Sequence, residues 1–320
     1  MRETALHKSD GSARTFLVGT RGSALAMAQT EMAVAALRAR HPDVAVEIRV
    51  LHTGGDRDQR TPLAQLGGQG VFVKEIENAL QAGEVDLAVH SLKDMPSEQP
   101  EGLVIAAVLE REDPRDALIS RLGAGLEDLP KGARVGTGSL RRQAQLRALR
   151  PDLQVVDLRG NVDTRLRKAA SGEYDAVVLA LAGLVRLGRA AEVTAILPFD
   201  VMLPAVGQGA VCIEARADDE QALALARAVD HPASHTACLA ERNFLRELGG
   251  GCRVPIAAYA TLQGGRLWLR GLVASADGAR MVRGSVTGRP EEASRLGQGL
   301  ARQLLAEGCA ELLREGAAHA

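Results

Sequence analysis

Short apolar runs alternate with amphipathic stretches along most of the chain. Residues 16–20, 44–51, 85–90 and 103–109 have the length and content of buried strands. Helical patterns lie between them: a segment rich in Ala, Leu and Met from Ser23, and an amphipathic one over 71–82 with Val71, Ile76 and Leu80 among its apolar residues. The charged run 110–116 breaks the pattern and predicts a domain crossing. The alternation then resumes, with a strand to Val135, a helix from Ser139, a strand around Val155, a helix from Val162, a strand over 176–179 and a helix over 181–189. This order predicts parallel sheets with helices on both faces. Pro198, Pro204 and the turn 207–209 predict a second crossing, followed by a strand over 210–214. From there the pattern changes. Residues 218–248 read as largely helical, 256–285 as about three strands with glycine turns, and 290–316 as a closing helical segment. A smaller α+β domain is the expectation for this last third.

Polar residues gather where the strands end. Thr20-Arg21-Gly22-Ser23 follows the first, and Ser91-Leu92-Lys93-Asp94 follows the strand over 85–90. Thr137-Gly138-Ser139 precedes the helix carrying Arg141 and Arg142, with Ser139 as its N-cap. Arg159-Gly160-Asn161 precedes Arg165, and Arg186 lies on a later helix. Backbone N–H groups, a helix start and guanidinium forks on one sheet edge predict an anion site, suited to planar carboxylates or phosphates. The competing reading is a solvated basic helix face, which fits Arg147 and Arg150 equally well. Lys93 and Asp94 also fit a local surface pair. The polar, glycine-rich segment 52–70 is either a functional loop or a plain surface one.

Composition narrows the choice. The chain has 320 residues, 46% hydrophobic and 25% charged, which predicts a soluble globular protein of two or three domains. Aromatics are 2% and the net charge is -1, which argues against nucleic acid as a partner. Four cysteines, Cys212, Cys238, Cys252 and Cys309, form no CxxC pair, so neither a metal site nor a disulfide framework is expected. Residues 1–14 lack the apolar core of a signal peptide, and the longest apolar run, 176–185, is too short for a bilayer. A cytoplasmic protein with no membrane association is expected. Cys252 follows three consecutive glycines and precedes Arg253, a setting that fits either an exposed, activated thiol or a buried inert one.

Seven stretches then carry a resemblance: TRGS at 20–23, AVHSLKDMP at 88–96, EREDPRDA at 110–117, GTGSLRRQ at 136–143, LRGNVDTRL at 158–166, LPAVGQGA at 203–210 and GGGCRVPI at 249–256. In this order they resemble the porphobilinogen deaminases, also called hydroxymethylbilane synthases. The resemblance implies an α/β fold of two lobes like those of periplasmic binding proteins, with mainly parallel sheets, and a smaller C-terminal α+β domain. It places domain 1 at 15–109 with 205–228, domain 2 at 115–200 and domain 3 at 232–320. It implies a transferase of tetrapyrrole biosynthesis that joins four porphobilinogen molecules head to tail into hydroxymethylbilane, releasing ammonia.

The resemblance also implies roles. Cys252 would hold a dipyrromethane cofactor by a thioether, and Asp94 would be the catalytic carboxylate. Ser91, Lys93, Asp94, Thr137, Ser139, Arg141, Arg142, Arg165 and Arg186 would bind the cofactor. Arg21, Ser23, Arg159 and Arg186 would bind porphobilinogen and the growing oligopyrrole chain. A monomer is implied. Gln29 matches the family's pyrrole-binding glutamine only loosely and is left out of the site. Two departures stand out. Gln65 and Gln69 occupy a loop that carries lysines in many bacterial relatives, and Gly138 replaces a common serine. The alternative class is a bilobed anion-binding protein with no chemistry.

Overall fold

The computed structural model describes residues 14–51, 73–249 and 254–318. The loop 52–70 with Gln65 and Gln69, the start of the 71–82 helix at Val71, and Cys252 with Arg253 lie outside these residues.

The chain begins with β1 (Thr15–Arg21), α1 (Ala24–Arg40), β2 (Ala45–Leu51), α2 (Lys74–Gln81), β3 (Leu87–Ser91) and β4 (Leu103–Val108). It crosses to β5 (Asp116–Ser120), β6 (Arg134–Gly136), α3 (Leu140–Leu149), β7 (Gln154–Val156), α4 (Val162–Ala170), β8 (Ala176–Ala180), α5 (Leu181–Arg186) and β9 (Ala195–Leu197). It returns to β10 (Val211–Arg216), then α6 (Glu220–Arg227) and α7 (Pro232–Glu247). The last third holds β11 (Ile256–Gln263), β12 (Arg266–Ala274), β13 (Met281–Gly288), α8 (Ala293–Leu304) and α9 (Ala310–Ala318).

The helices start where local chemistry satisfies their first N–H groups. Ser23 accepts from Ala26 N at α1, Asn161 from Thr164 N at α4, and Asp219 from Ala222 N at α6. Buried residues on α1 recur at helical spacing, with Gln29, Ala33 and Leu37 inside, while Arg38 and Arg40 sit in the last turn against the negative end of the dipole.

Two five-stranded sheets share one plan. The first has the order β2-β1-β3-β10-β4 and the second β7-β6-β8-β5-β9. In each, four strands run one way and the fifth is reversed: β10 pairs antiparallel with β3 and β4, and β5 with β8 and β9. The reversed strand is the one that arrives from the other lobe. It follows a crossover with no helix between, so it enters from the opposite end. The mainly parallel reading of the alternation therefore holds, but β5 and β9 escaped it. Asp116 opens β5 yet ends the run of charge that reads as a break at the domain crossing.

The third sheet is an antiparallel meander, β11-β12-β13. Its inner face meets α7 and α8 around Phe244, Leu267, Leu269, Leu300 and Leu304. This unit is seated on the crossovers. Glu241 on α7 accepts from Arg111 (2.6 Å), from Gly207 N (2.7 Å) and from Ala260 N (2.7 Å). The turn before β13 rests on α3, where a Cβ on Gly278 would come within 2.3 Å of the Ala144 carbonyl oxygen. Gly278 also has φ +77°, so two independent constraints require glycine there.

Candidate active site

The strand ends of both lobes face each other across a cleft of about 500 Å³, its open mouth included. Ser91 and Lys93 line it from the first lobe, with Leu25 and Gln29 of α1. Arg142, Arg165, Arg186 and a small-residue wall at Ala182 and Gly183 line it from the second. Gly209 and Ala210 of the returning crossover close the floor. Five of the residues singled out from sequence are thus brought together. Lys93 and Asp94 are not the isolated surface pair that the sequence also allowed.

The turn at Ser91 is fixed on both sides. Leu92 N donates to Ala210 O at 3.0 Å, and the Ser91 hydroxyl donates to Gln29 Oε1 at 2.9 Å. Gln29, which the motif reading left aside, is therefore part of the site. Lys93 follows in a short 3₁₀ turn, Leu92–Asp94. Desolvation pushes the Lys93 ammonium down to about 8; Asp94 and Asp116 oppose this, and Arg142 and Arg141 add to it. Desolvation likewise pushes Arg165 down to about 10, with Arg142 and Arg159 adding to it and Asp157 and Asp94 opposing. Arg186 is lowered by burial, with Glu112 as the offsetting charge. The cleft is thus an excess of positive charge held out of water, a condition that an anionic ligand relieves.

The guanidinium groups are aimed by backbone. Arg165 Nε donates to Gly160 O at 2.8 Å, and Arg186 Nη2 donates to Gly209 O at 2.6 Å, reaching from lobe two to the crossover. Buried Arg186 Nε has no hydrogen-bond partner among the described residues, leaving a donor unspent beside the cleft. Arg159 sits at the second turn with its Nε on Asp157 Oδ2 at 3.1 Å. Arg21 closes β1, half-buried. The Ser23 hydroxyl is used in capping α1.

Arg141 and Arg142 divide. Both meet Asp116, which is wholly buried: Arg141 Nη1 at 2.7 Å from Oδ2, and Arg142 Nη2 at 2.7 Å from Oδ1. Gln208 Nε2 adds a bond to Oδ1 at 2.9 Å. Burial alone would raise the Asp116 carboxyl, but the two arginines more than offset it and hold it well below the usual carboxylate range. Arg141 also donates to Leu203 O at 2.7 Å and does not line the cleft. It belongs to the joint between lobes, unlike the ligand-facing place that its motif implies. Arg142 donates to Val178 O at 3.0 Å and does line the cleft.

Two hydroxyls also sit differently from their motif roles. Thr137 is fully buried and accepts from Ser139 N at 3.3 Å. Ser139 occupies the N-cap position of α3, but its hydroxyl accepts no capping bond. A Cβ on Gly138 would lie 2.8 Å from the Leu158 carbonyl oxygen, so the loop has closed over the place of the missing serine side chain. Arg147 donates to Ala276 O, and Arg150 to Leu126 O, Glu127 O and Leu129 O, so both are structural staples rather than a solvated basic face.

The comparisons with known proteins bear on this geometry. Residues 16–224 match the family model "Porphobilinogen deaminase, dipyromethane cofactor binding domain", and 235–306 match "Porphobilinogen deaminase, C-terminal domain". The chain belongs to the porphobilinogen deaminase family. It is 51% identical over 302 residues to the porphobilinogen deaminase of Syntrophomonas wolfei, covering 94% of this chain and 99% of that one. It is 52% identical over 300 residues to that of a Roseiflexus species, covering 94% and 99%. The activity is that of a transferase that condenses porphobilinogen into hydroxymethylbilane on a dipyrromethane cofactor. A likeness to the extracellular-binding protein ytmK of Bacillus subtilis, at 13% identity and a TM-score of 0.40 over 68% of this chain and 90% of that one, carries no argument; the two-lobed description rests on the crossovers above. No described helix is long and apolar enough to cross a membrane.

Proposed function

We propose that the cleft binds the carboxylate arms of the dipyrromethane cofactor and of the growing chain, and that Asp94 is its working carboxylate. The observation that carries this is the meeting of Lys93, Arg142, Arg165 and Arg186 from two lobes in one desolvated cleft, with the charge of Asp94 among them. An acetate and a propionate on every pyrrole ring suit such a lining. Each charged hydrogen bond contributes about 1.5–3 kcal/mol, so four cations hold a multiply anionic chain without a metal. The unspent Arg186 Nε and the depressed Lys93 fit the same ligand class.

The tethered dipyrromethane supplies a pyrrole ring that primes the chain. The residues here bind and orient. Arg142, Arg165 and Arg186 receive ring carboxylates, and Ser91 with Gln29 sets the turn that presents Lys93 and Asp94. The Asp94 carboxylate accepts from pyrrole N–H groups and stabilises the positive charge that develops as ammonia leaves porphobilinogen. Arg21, Ser23 and Arg159 line the approach for incoming substrate. Thr137, Ser139 and Arg141 support the cofactor site through the loop and joint that fix Arg142. We read Cys252 as the thioether attachment point, the chain as a cytoplasmic monomer that uses neither nucleic acid nor membrane, and its domains as 15–109 with 205–228, 115–200 and 232–320.

Intact mass tests the reading. The purified chain is expected to carry an increment of two pyrrole units that is lost in Cys252→Ala. An unmodified thiol in an active preparation would contradict it.

A further inference from the structure

Under the Ser91 turn, on the α2 side of the first sheet, three ionisable side chains are buried together. Glu77 comes from α2, His90 from β3 and Glu214 from β10, at 6%, 6% and 0% exposure. The register sets Cys212 opposite His90 and Glu214 opposite Ala88, so His90 and Glu214 rise from one face of the sheet. His90 Nε2 lies 3.3 Å from Glu214 Oε2. Yet His90 Nε2, both Glu214 oxygens and Glu77 Oε1 have no hydrogen-bond partner among the described residues. Buried acceptors in this state are costly unless a proton is shared between them.

The surroundings offer little relief. On β10, the Cys212 thiol is pushed up by burial and by Glu214, and is no source of positive charge. Arg216 spends its guanidinium elsewhere: Nη1 donates to Leu80 O on α2 and Val85 O beyond it, and Nη2 donates to Asp219 Oδ2 at 2.8 Å and Asp86 Oδ1 at 3.4 Å. Arg242 of α7 acts on Glu214 from a distance but gives its hydrogen bond to Pro96 O at 2.7 Å. The neighbouring strand β4 is apolar throughout. Desolvation first, and the Glu214 charge second, push the Glu77 carboxyl up to about 7, against the pull of His90.

We propose that Glu77, Glu214 and His90 form one proton-holding unit that positions the Ser91–Asp94 turn, with Glu77 held in its acid form in the same buried layer as the Glu214 carboxylate. The unit is wired to that turn. His90 directly precedes Ser91, and Leu92 and Met95 share an apolar cluster with Cys212. Losing the proton leaves two carboxylates facing each other in a dry layer. The layer relieves this by parting α2 from β3 and β10, and the turn carrying Lys93 and Asp94 shifts with it. These are positioning residues; none is itself a lining residue of the cleft. Only the activity arm of the test rests on the reading of Asp94.

Glutamine is a permanent stand-in for the acid form. Melting temperature, kcat and KM for porphobilinogen are measured for the parent and Glu77→Gln from acid to alkaline pH. A carboxyl raised by folding contributes stability below its unfolded pKa and loses it as pH rises through about 7. Glu77→Gln is therefore expected to melt near the parent at low pH, to gain on it as pH rises from the ordinary carboxyl range to about 7, and to hold a level advantage above that. Its kcat relative to the parent is expected to rise as pH passes through about 7, by up to about a hundredfold, the scale of a catalytic group displaced by about 1 Å. A melting difference that stays flat with pH overturns the proton-holding unit. A pH-dependent melting difference with a flat kcat ratio overturns its positioning role. If Glu77→Gln does not fold, Glu214→Gln serves: removing the repulsion moves the parent's stability loss to lower pH and shrinks it, and an unmoved transition overturns the proposal. Failure of the Asp94 reading leaves both melting arms intact and appears instead as normal turnover in Asp94→Asn.

Discussion

Two carboxylates sit close to the arginine cluster and have opposite surroundings. In the joint between lobes, Asp116 is wholly buried and accepts from Arg141, Arg142 and Gln208. Beside the cleft, next to Lys93 but not itself among the lining residues, Asp94 is half-buried and accepts no hydrogen bond among the described residues, although Lys93 and Arg165 feel its charge. A carboxylate whose lone pairs are filled by guanidinium and amide donors is structural. One placed among cations with its lone pairs open is available to a ligand's N–H. The same contrast separates Arg141 from its neighbour Arg142: the rotation of about 100° between consecutive helical residues puts the first wholly into the joint and lets the second serve both regions.

The contrast breaks most visibly at the joint. Asp116→Ala leaves two buried guanidinium groups unpaired and is expected to cost about 3–5 kcal/mol in chemical denaturation. A negligible loss would erase the distinction between joint and cleft. Next in size is Gly209→Ala on the returning crossover. Its φ is +87°, and a Cβ there would lie 2.4 Å from the Glu112 carbonyl oxygen. A loss of about 1–3 kcal/mol is expected, and a neutral result would mean that the crossover gives way easily.

The smallest effect sharpens the cleft side. Lys93 carries its charge below about 8, so KM for porphobilinogen is expected to rise as pH increases through that value. Lys93→Gln should flatten the profile and weaken binding by up to about tenfold, the margin of a charged over a neutral hydrogen bond, since the amide still donates. A parent profile that is already flat through pH 8 would remove Lys93 from carboxylate binding.

What the sequence revealed follows the same division. Much of the cleft sits at strand exits, and a strand exit is a local pattern: Ser91, Lys93 and Arg165 could be placed by reading apolar runs and their ends, whereas Arg186, at the end of α5, entered through the resemblance. The joint is not local. Asp116 is buried only because Arg141, Arg142 and Gln208 arrive from far along the chain, so its charged neighbourhood read as a break at a domain crossing and β5 went unseen. Adjacent arginines look alike in sequence, and only the helix phase against two lobes separates them. Gln29 is an α1 residue whose part in the site depends on a hydroxyl on β3. Cys252 entered through the resemblance of its motif, since a thiol after three glycines fits more than one role.

The most direct measurement is on Asp94→Asn, which keeps the shape and removes the charge. kcat and melting temperature are taken on the same preparation. The account predicts a fall in kcat of about two to three orders of magnitude, the size seen when one preorganised electrostatic contact to a transition state is lost. The melting temperature should stay near the parent's, because no hydrogen bond of the described fold ends on that carboxylate. Turnover close to the parent's would contradict it.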